Sequence, residues 1–387
     1  MPKHNILHSV AGYSEAVQHK QALEDSGSNF YEIRGQVQSA VVQLHPKRIA
    51  LTVQEIIEDT PSTKTLRVVS SNQHALPPFQ SGQYVNLFVE IDGVQTARPY
   101  AISSSPLQRD YYDITVKRAE GGFVSHYLLD QVSVGQTLSS SGPMGTFYHN
   151  PLFHGDDLVF LAGGSGSAPA RSMILNMLER GLPQRFHLIY VNSYQDDVIF
   201  AEELRALAKQ HEQFRLTEII TRPNAGYSGL SGRLTEAGLQ ELLGSIGNKM
   251  FYICGPTPFN NHSLALLTGL GVARRRIRIE ANGAPKAPNE QANWPAGVAM
   301  EDEVTIKVQG RGSFRSKVGE PLLNALERHG YFAENACRSG ECSLCRVKLV
   351  SGTVFNPQEA HLRKSDQAFG WIYSCVAFPT SDIEVLI

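Results

Sequence analysis

No stretch of this chain approaches the roughly 18 consecutive apolar residues that a membrane-spanning helix requires, so no integral membrane segment is expected. The opening Met1-Pro2-Lys3-His4-Asn5 lacks the apolar core of a secretory signal, and the sequence reads as cytoplasmic. Excess charge is missing too: 35 Lys and Arg stand against 37 Asp and Glu, a formal net charge of -2. Without a basic stripe there is no electrostatic footprint for nucleic acid, and no nucleic-acid partner is expected. Cysteine is scarce, with five in 387 residues, too few and too unevenly placed for a disulfide framework along the whole chain.

The cysteine that is present is concentrated. Cys337, Cys342, Cys345 and Cys375 read C-x4-C-x2-C with a fourth cysteine after 29 further residues, the plant-type spacing for a [2Fe–2S] cluster. Three thiolates from one short loop can wrap two irons only where the backbone turns sharply and aims its amides at sulfur. Arg338-Ser339-Gly340-Glu341 suits that need, with Gly340 supplying the permissive backbone. Zinc is the rival ligand, but it prefers paired C-x2-C knuckles. An alternating run Val304–Val308, a helical stretch from Pro321 to Arg328 and a closing strand Ile383–Val385 surround the motif. Residues 303–387 thus resemble a plant-type ferredoxin, an α+β, β-grasp-like domain. Free ferredoxins of that type are acidic, whereas these residues carry nine Asp and Glu against ten Lys and Arg. A tethered domain needs less steering toward its electron donor, because the linker already supplies a high effective concentration.

At about 150 residues per domain the length implies two or three units, and the remaining sequence divides accordingly. Asp157–Ala162 is an apolar run that ends in Gly163-Gly164-Ser165-Gly166-Ser167-Ala168-Pro169, followed by a helical pattern through Met173, Ile174, Met177 and Leu178. A strand, glycine turn and helix in that order present backbone amides to a pyrophosphate. Further strand-like runs at Phe186–Val191, Leu216–Thr221 and Met250–Cys254 alternate with helical stretches Ala201–Gln210 and Leu234–Leu243, which predicts an α/β parallel-sheet NAD(P) domain. Cys254-Gly255-Pro256 ends the last run, at the carboxyl edge where such sheets bind ligands; a lone cysteine there is also compatible with a small core residue.

Residues 46–150 carry β-branched and aromatic runs at Arg48–Ile57, Thr65–Val69, Tyr84–Ile91 and Tyr111–Val116, the pattern of an antiparallel β-barrel. Within them, Arg98-Pro99-Tyr100-Ala101-Ile102-Ser103-Ser104, Gly121-Gly122-Phe123-Val124-Ser125 and Gly142-Pro143-Met144-Gly145 resemble the motifs of the ferredoxin–NADP reductase family, in family order through residues 46–281. The resemblance implies a flavin domain with Arg98 near flavin phosphate, Tyr100 against the isoalloxazine, and Gly122, Val124 and Ser125 at a pyrophosphate-binding helix start. The Gly-Gly-x-x-Ser form resembles the FAD-binding branch, so FAD is expected. It also implies that Cys254-Gly255-Pro256 and Glu280 lie beside nicotinamide and flavin, and that Thr221-Arg222 lies where NADP-specific relatives hold a 2′-phosphate. This chain departs from the family pattern at Ala101, Ser167-Ala168 and Asn282, which leaves the flavin face less covered.

The sequence therefore predicts a multidomain chain: a 1–45 extension with a short helix near Ser14–Asp25, a flavin barrel (46–150), an NAD(P) domain (151–283), a proline-rich linker (284–302) and a ferredoxin domain (303–387). The implied cofactors are FAD, a [2Fe–2S] cluster and NAD(P)H. NADH or NADPH would give up two electrons at once and the cluster takes one, so the flavin is the converter between them. Tyr100, Cys254 and Glu280 are the candidate catalytic residues. The expected acceptor is a protein such as an oxygenase component or another metalloenzyme, docking near Arg338–Ser343. Two other readings share these motifs: a non-catalytic electron-transfer subunit with a decayed flavin site, and a reductase acting directly on a small molecule.

Overall fold

The computed structural model describes residues 12–27, 35, 37–41, 44, 46–72, 75–281, 283–357 and 360–387. Residues 1–47 and 48–387 form separate compact units. In the first, a helix spans Tyr13–Asp25 and buries none of its residues, in keeping with its weakly amphipathic sequence.

The second unit begins with six strands: β1 (Ile49–Thr60), β2 (Thr63–Ser70), β3 (Tyr84–Ile91), β4 (Val94–Ala101), β5 (Tyr111–Lys117) and β6 (Thr137–Ser140). They form one antiparallel sheet in the order β4-β3-β6-β1-β2-β5. The β3–β4 hairpin turns on Asp92-Gly93, both at positive φ (51° and 78°), the two-residue turn whose twist matches the strands it joins. Alternate residues Leu51, Val53, Leu66, Val68, Val85 and Leu87 fill its core, and the helix Phe123–Asp130 packs Val124, Leu128 and Leu129 against it.

Next come β7 (Asp157–Gly163), β8 (Arg185–Asn192), β9 (Phe214–Ile220), β10 (Leu230–Ser231), β11 (Met250–Cys254) and β12 (Ile277–Glu280). They build a wholly parallel sheet, β10-β9-β8-β7-β11-β12. Helices Ser167–Glu179, Ala201–Gln210, Glu236–Leu243 and Thr257–Gly269 connect the strands. Separate apolar clusters, one with Phe160, Phe186 and Tyr252 and one with Val159, Leu161 and Ile253, cover the two faces. That double burial explains why the central strands read as unbroken apolar runs.

The last third has β13 (Glu303–Val308), β14 (Gly312–Lys317), β15 (Arg346–Ser351), β16 (Val354–Phe355), β17 (Trp371–Tyr373), β18 (Phe378–Pro379) and β19 (Ile383–Leu386). Five of them form a mixed sheet, β14-β13-β19-β15-β17, with β13 and β19 parallel. The helix Leu322–Arg328 lays Leu322, Leu323, Ala325 and Leu326 on it. The proline-rich stretch before β13 is folded onto this domain: Ala284 packs on its core, and Trp294 stands edge-on to Phe355 at 5.0 Å while donating to the Val298 carbonyl at 2.9 Å. Among the described residues no helix is long and apolar enough to cross a membrane.

Candidate functional site

The cluster loop runs between the helix Leu322–Arg328 and β15. Cys345 and Cys375 bring their sulfurs to 3.2 Å, and the Cys337 thiol is engaged by those of Cys342 and Cys375. The amides of Ser339 and Cys342 donate to Cys337 Sγ at 3.4 and 3.3 Å. Contact with Cys342, together with these amides, holds the Cys337 thiol far below the ordinary thiol range, and Cys375 lowers Cys345 likewise. The thiols thus form one connected set, Cys342 touching Cys337, Cys337 touching Cys375 and Cys375 touching Cys345. Four sulfurs in contact, with amides turned in toward Cys337, would fit the thiolate shell of a [2Fe–2S] cluster.

On the barrel, β4 carries Arg98, Pro99, Tyr100 and Ala101 to the mouth of a cavity of about 390 Å³. Arg98 Nη1 donates to the Ala97 carbonyl at 2.8 Å and to Thr96 Oγ1 at 2.6 Å, which leaves the rest of its guanidinium for a ligand. Burial lowers its pKa to about 10, so it stays charged at neutral pH; burial also pushes Tyr100 up. The helix Phe123–Asp130 begins at Gly122, where a Cβ would fall 2.2 Å from Ser125 Oγ and 2.9 Å from the Ala119 carbonyl. Gly121 takes φ 64° just before it. This cradle of bare backbone at a helix N-terminus, next to an arginine, fits a flavin diphosphate.

The nucleotide edge is built by close approach. A Cβ on Gly166 would lie 1.9 Å from the Cys254 carbonyl, and one on Gly255 would lie 3.1 Å from Gly163 Cα, so the turn after β7 and the end of β11 touch backbone to backbone. The parallel register sets Cys254 opposite Glu280 across β11 and β12, and Asn260 Nδ2 secures the Glu280 carbonyl at 2.9 Å. Burial raises the Glu280 carboxyl well above its ordinary value. Ser167 turns away into the core, where it accepts from the Tyr190 hydroxyl at 3.0 Å, and leaves Ala168 on the cavity side.

One cavity gathers most of the residues singled out in the sequence: Arg98 to Ala101, Gly122 to Ser125, Ser165, Cys254, Glu280, Cys337 and Cys375. The others stand apart from its lining. Ile102 is in the barrel core, Gly121, Gly163, Gly164, Gly166, Gly255 and Pro256 shape turns behind it, and Cys342 and Cys345 complete the cluster loop. Thr221 and Arg222 follow β9, with Arg222 exposed and its Nη1 3.5 Å from the Tyr194 hydroxyl. Asn282 lies outside the described residues. A larger hollow of about 470 Å³ beside Leu152, Phe153 and Arg276 contains none of these groups.

Sequence reasoning missed Tyr84, Thr115, Lys117 and Asn324, which also line the cavity. Of these only Lys117 had a usable signal, a cation at the end of a barrel strand; it reaches Asp197 of the parallel-sheet half at 2.6 Å. Arg338 differs from expectation more sharply. It is 6% exposed and turns toward the barrel, bonding Glu327, Asn324 (3.1 Å) and Thr96 (3.1 Å), so it offers nothing to an external protein. The outward part of the loop is Glu341 to Leu344, with Leu344 46% exposed.

Comparison with known proteins gives the same three-part division. Residues 50–149 match the oxidoreductase FAD-binding domain, 160–264 the oxidoreductase NAD-binding domain, and 306–380 the 2Fe-2S iron-sulfur cluster binding domain. The chain is 31% identical over 347 residues to a glycine betaine monooxygenase reductase subunit of Pseudomonas aeruginosa, covering 86% of this chain and 93% of that one. It is 29% identical over 345 residues to the ferredoxin reductase component of a Rhodococcus rhodochrous 3-ketosteroid-9-alpha-monooxygenase, covering 87% and 95%. Among solved structures, phthalate dioxygenase reductase, described as a modular structure for electron transfer from pyridine nucleotides to [2Fe–2S], superposes with a TM-score of 0.64 at 21% identity, covering 88% of this chain and 97% of that one.

Proposed function

The chain belongs to the ferredoxin–NADP reductase family, in the group that carries a C-terminal plant-type [2Fe–2S] domain, and we propose that it is the reductase component of an oxygenase system. It is an NAD(P)H-dependent oxidoreductase whose cofactors are FAD and a [2Fe–2S] cluster. The observation that carries the proposal is the shared cavity, onto which Arg98 and Tyr100, Cys254 and Glu280, and Cys337 and Cys375 all open.

When bound there, a flavin accepts two electrons as hydride and releases them singly, which matches a nicotinamide donor to an iron–sulfur acceptor. The chain's own residues set the stage. Arg98 and the amides at the start of the helix Phe123–Asp130 hold phosphate, and Tyr100 covers a ring face with its polar end still usable. Gly163 to Gly166 cradle the nicotinamide dinucleotide, and Cys254 and Glu280 flank its reactive end. The burial of Cys254 and Ala168 keeps water from the reacting face. The four cysteines hold the cluster, and the lip from Glu341 to Leu344 meets the acceptor protein. An intact phosphate cradle speaks against a decayed flavin site. A cytoplasmic location suits the demand for reduced nucleotide.

Anaerobic titration with NADH and with NADPH tests the relay: flavin absorbance bleaches first, and the electron paramagnetic resonance (EPR) signal of a reduced cluster follows. The same samples then drive turnover of the oxygenase isolated from the same cells. Zinc in place of iron and sulfide, or a flavin that neither nucleotide bleaches, overturns the proposal.

A further inference from the structure

We infer that Thr96 is a positioning residue that ties the flavin-side arginine Arg98 to the cluster loop, so that flavin occupancy and the surroundings of the cluster are set together. The inference rests on the proposed site, in which Arg98 faces flavin phosphate.

Thr96 sits on β4, 6% exposed, and none of the sequence motifs includes it. Its hydroxyl accepts from Arg98 Nη1 at 2.6 Å and from Arg338 Nη2 at 3.1 Å, and donates to Glu327 Oε2 at 2.9 Å. A hydroxyl has one proton and two lone pairs, so its capacity is filled. Glu327 also bonds Arg338 through Oε1 and lies 3.9 Å from Arg98 Nη1. One carboxylate thus faces two guanidinium groups, and the uncompensated positive charge borders the cavity that Arg98 and Arg338 both line. A buried charge of this kind is stabilised by an anion, and the flavin diphosphate and the cluster thiolates are the anions on either side.

The cluster end depends on the same bonds. Arg338 takes φ 55°, a left-handed conformation uncommon outside glycine, and its guanidinium is pinned by Glu327, Asn324 and Thr96. That turn presents the Ser339 and Cys342 amides to Cys337 Sγ. Amide bonds to ligand sulfur are one of the levers that set a cluster's reduction potential. Loss of the Thr96 hydroxyl removes one of the three partners that pin Arg338, loosens the turn and weakens those bonds.

The test uses holoprotein carrying Thr96→Val, Thr96→Ser or Glu327→Gln. Visible circular dichroism and EPR report the cluster, with its midpoint potential measured before and after flavin is stripped, and FAD affinity is measured by fluorescence. In the wild type, removing flavin alters the cluster's dichroism. In Thr96→Val the potential falls, the response to flavin is lost and the FAD dissociation constant rises on the order of tenfold; Thr96→Ser restores all three. If Thr96→Val fails to retain a cluster, Glu327→Gln carries the test through the lost response of the cluster to flavin, its added positive charge raising rather than lowering the potential. Wild-type potential, dichroism and FAD affinity in both Thr96→Val and Glu327→Gln overturn the inference, as does a wild-type cluster indifferent to flavin removal. Bleaching of the wild-type flavin by NAD(P)H in the same preparations separates failure of the inference from failure of the proposed function.

Discussion

At Gly166, φ is an ordinary -62°, so the residue's conformational freedom is not what the site needs; a methyl group there would overlap the Cys254 carbonyl, 1.9 Å away. Gly166→Ala must therefore push the nucleotide turn off β11. We expect a loss of about 1–3 kcal/mol in stability and a raised KM for NAD(P)H, read by thermal melts and steady-state kinetics. Gly121 is the opposite case, with φ 64° and open space around it, and Gly121→Ala strains the backbone without a clash. His187 and His154 are each lowered from 6.5 to about 4, first by burial and then by neighbouring groups, among them Arg215 beside His187 and Arg278 beside His154. Both are neutral in the fold and take up protons near 6.5 once unfolded. Their contribution to stability is complete above pH 6.5 and is lost progressively as pH falls toward 4. The urea midpoint should drop across that window, and His187→Asn should flatten the drop. Arg98, Tyr100 and the four C-terminal cysteines could be singled out as candidates because family spacing marks them. Thr96 and Glu327 were not, because they meet across 231 residues of sequence and a single hydroxyl beside a carboxylate leaves no pattern.

Elements with a strong period were read nearly to the residue. The helical stretch Ala201–Gln210 and the strand Tyr84–Ile91 have the bounds expected of them. The helix expected from Leu234 starts at Glu236, because Thr235 caps it, its Oγ1 accepting from the Gly238 amide at 3.1 Å. Thr235→Ala should cost about 1 kcal/mol in thermal or urea unfolding. The stretch 284–302 shows what composition hides. Prolines and glycine made it look like a spacer, yet Trp294 is wedged against Phe355 and Phe378. Trp294→Ala should lower the stability of the cluster domain by about 2 kcal/mol, measured as earlier thermal loss of visible cluster absorbance.

Across the whole molecule, side-chain bridges join the three parts. Asp197 receives Lys117 at 2.6 Å and the hydroxyls of Thr60 and Ser62 at 2.7 and 2.6 Å, and Arg171 reaches the Ser103 carbonyl at 2.9 Å. These contacts hold the barrel to the parallel sheet, as Thr96 and Glu327 hold it to the cluster domain. Cutting the proposed relay at one end should leave the other working: Cys345→Ser, which removes a proposed cluster ligand, should still allow NAD(P)H to bleach flavin while delivery to a protein acceptor is lost. Anaerobic stopped-flow absorbance checks the first and coupled turnover the second.

The filled valence of the Thr96 hydroxyl also bears on how the ferredoxin domain could swing. A joint with a spare lone pair can admit water and loosen by degrees, whereas this one must surrender Arg338 and Glu327 together, Arg98 staying with it on β4. Its opening is accordingly all or nothing, and the cluster is held against the barrel until that latch gives way in a single event.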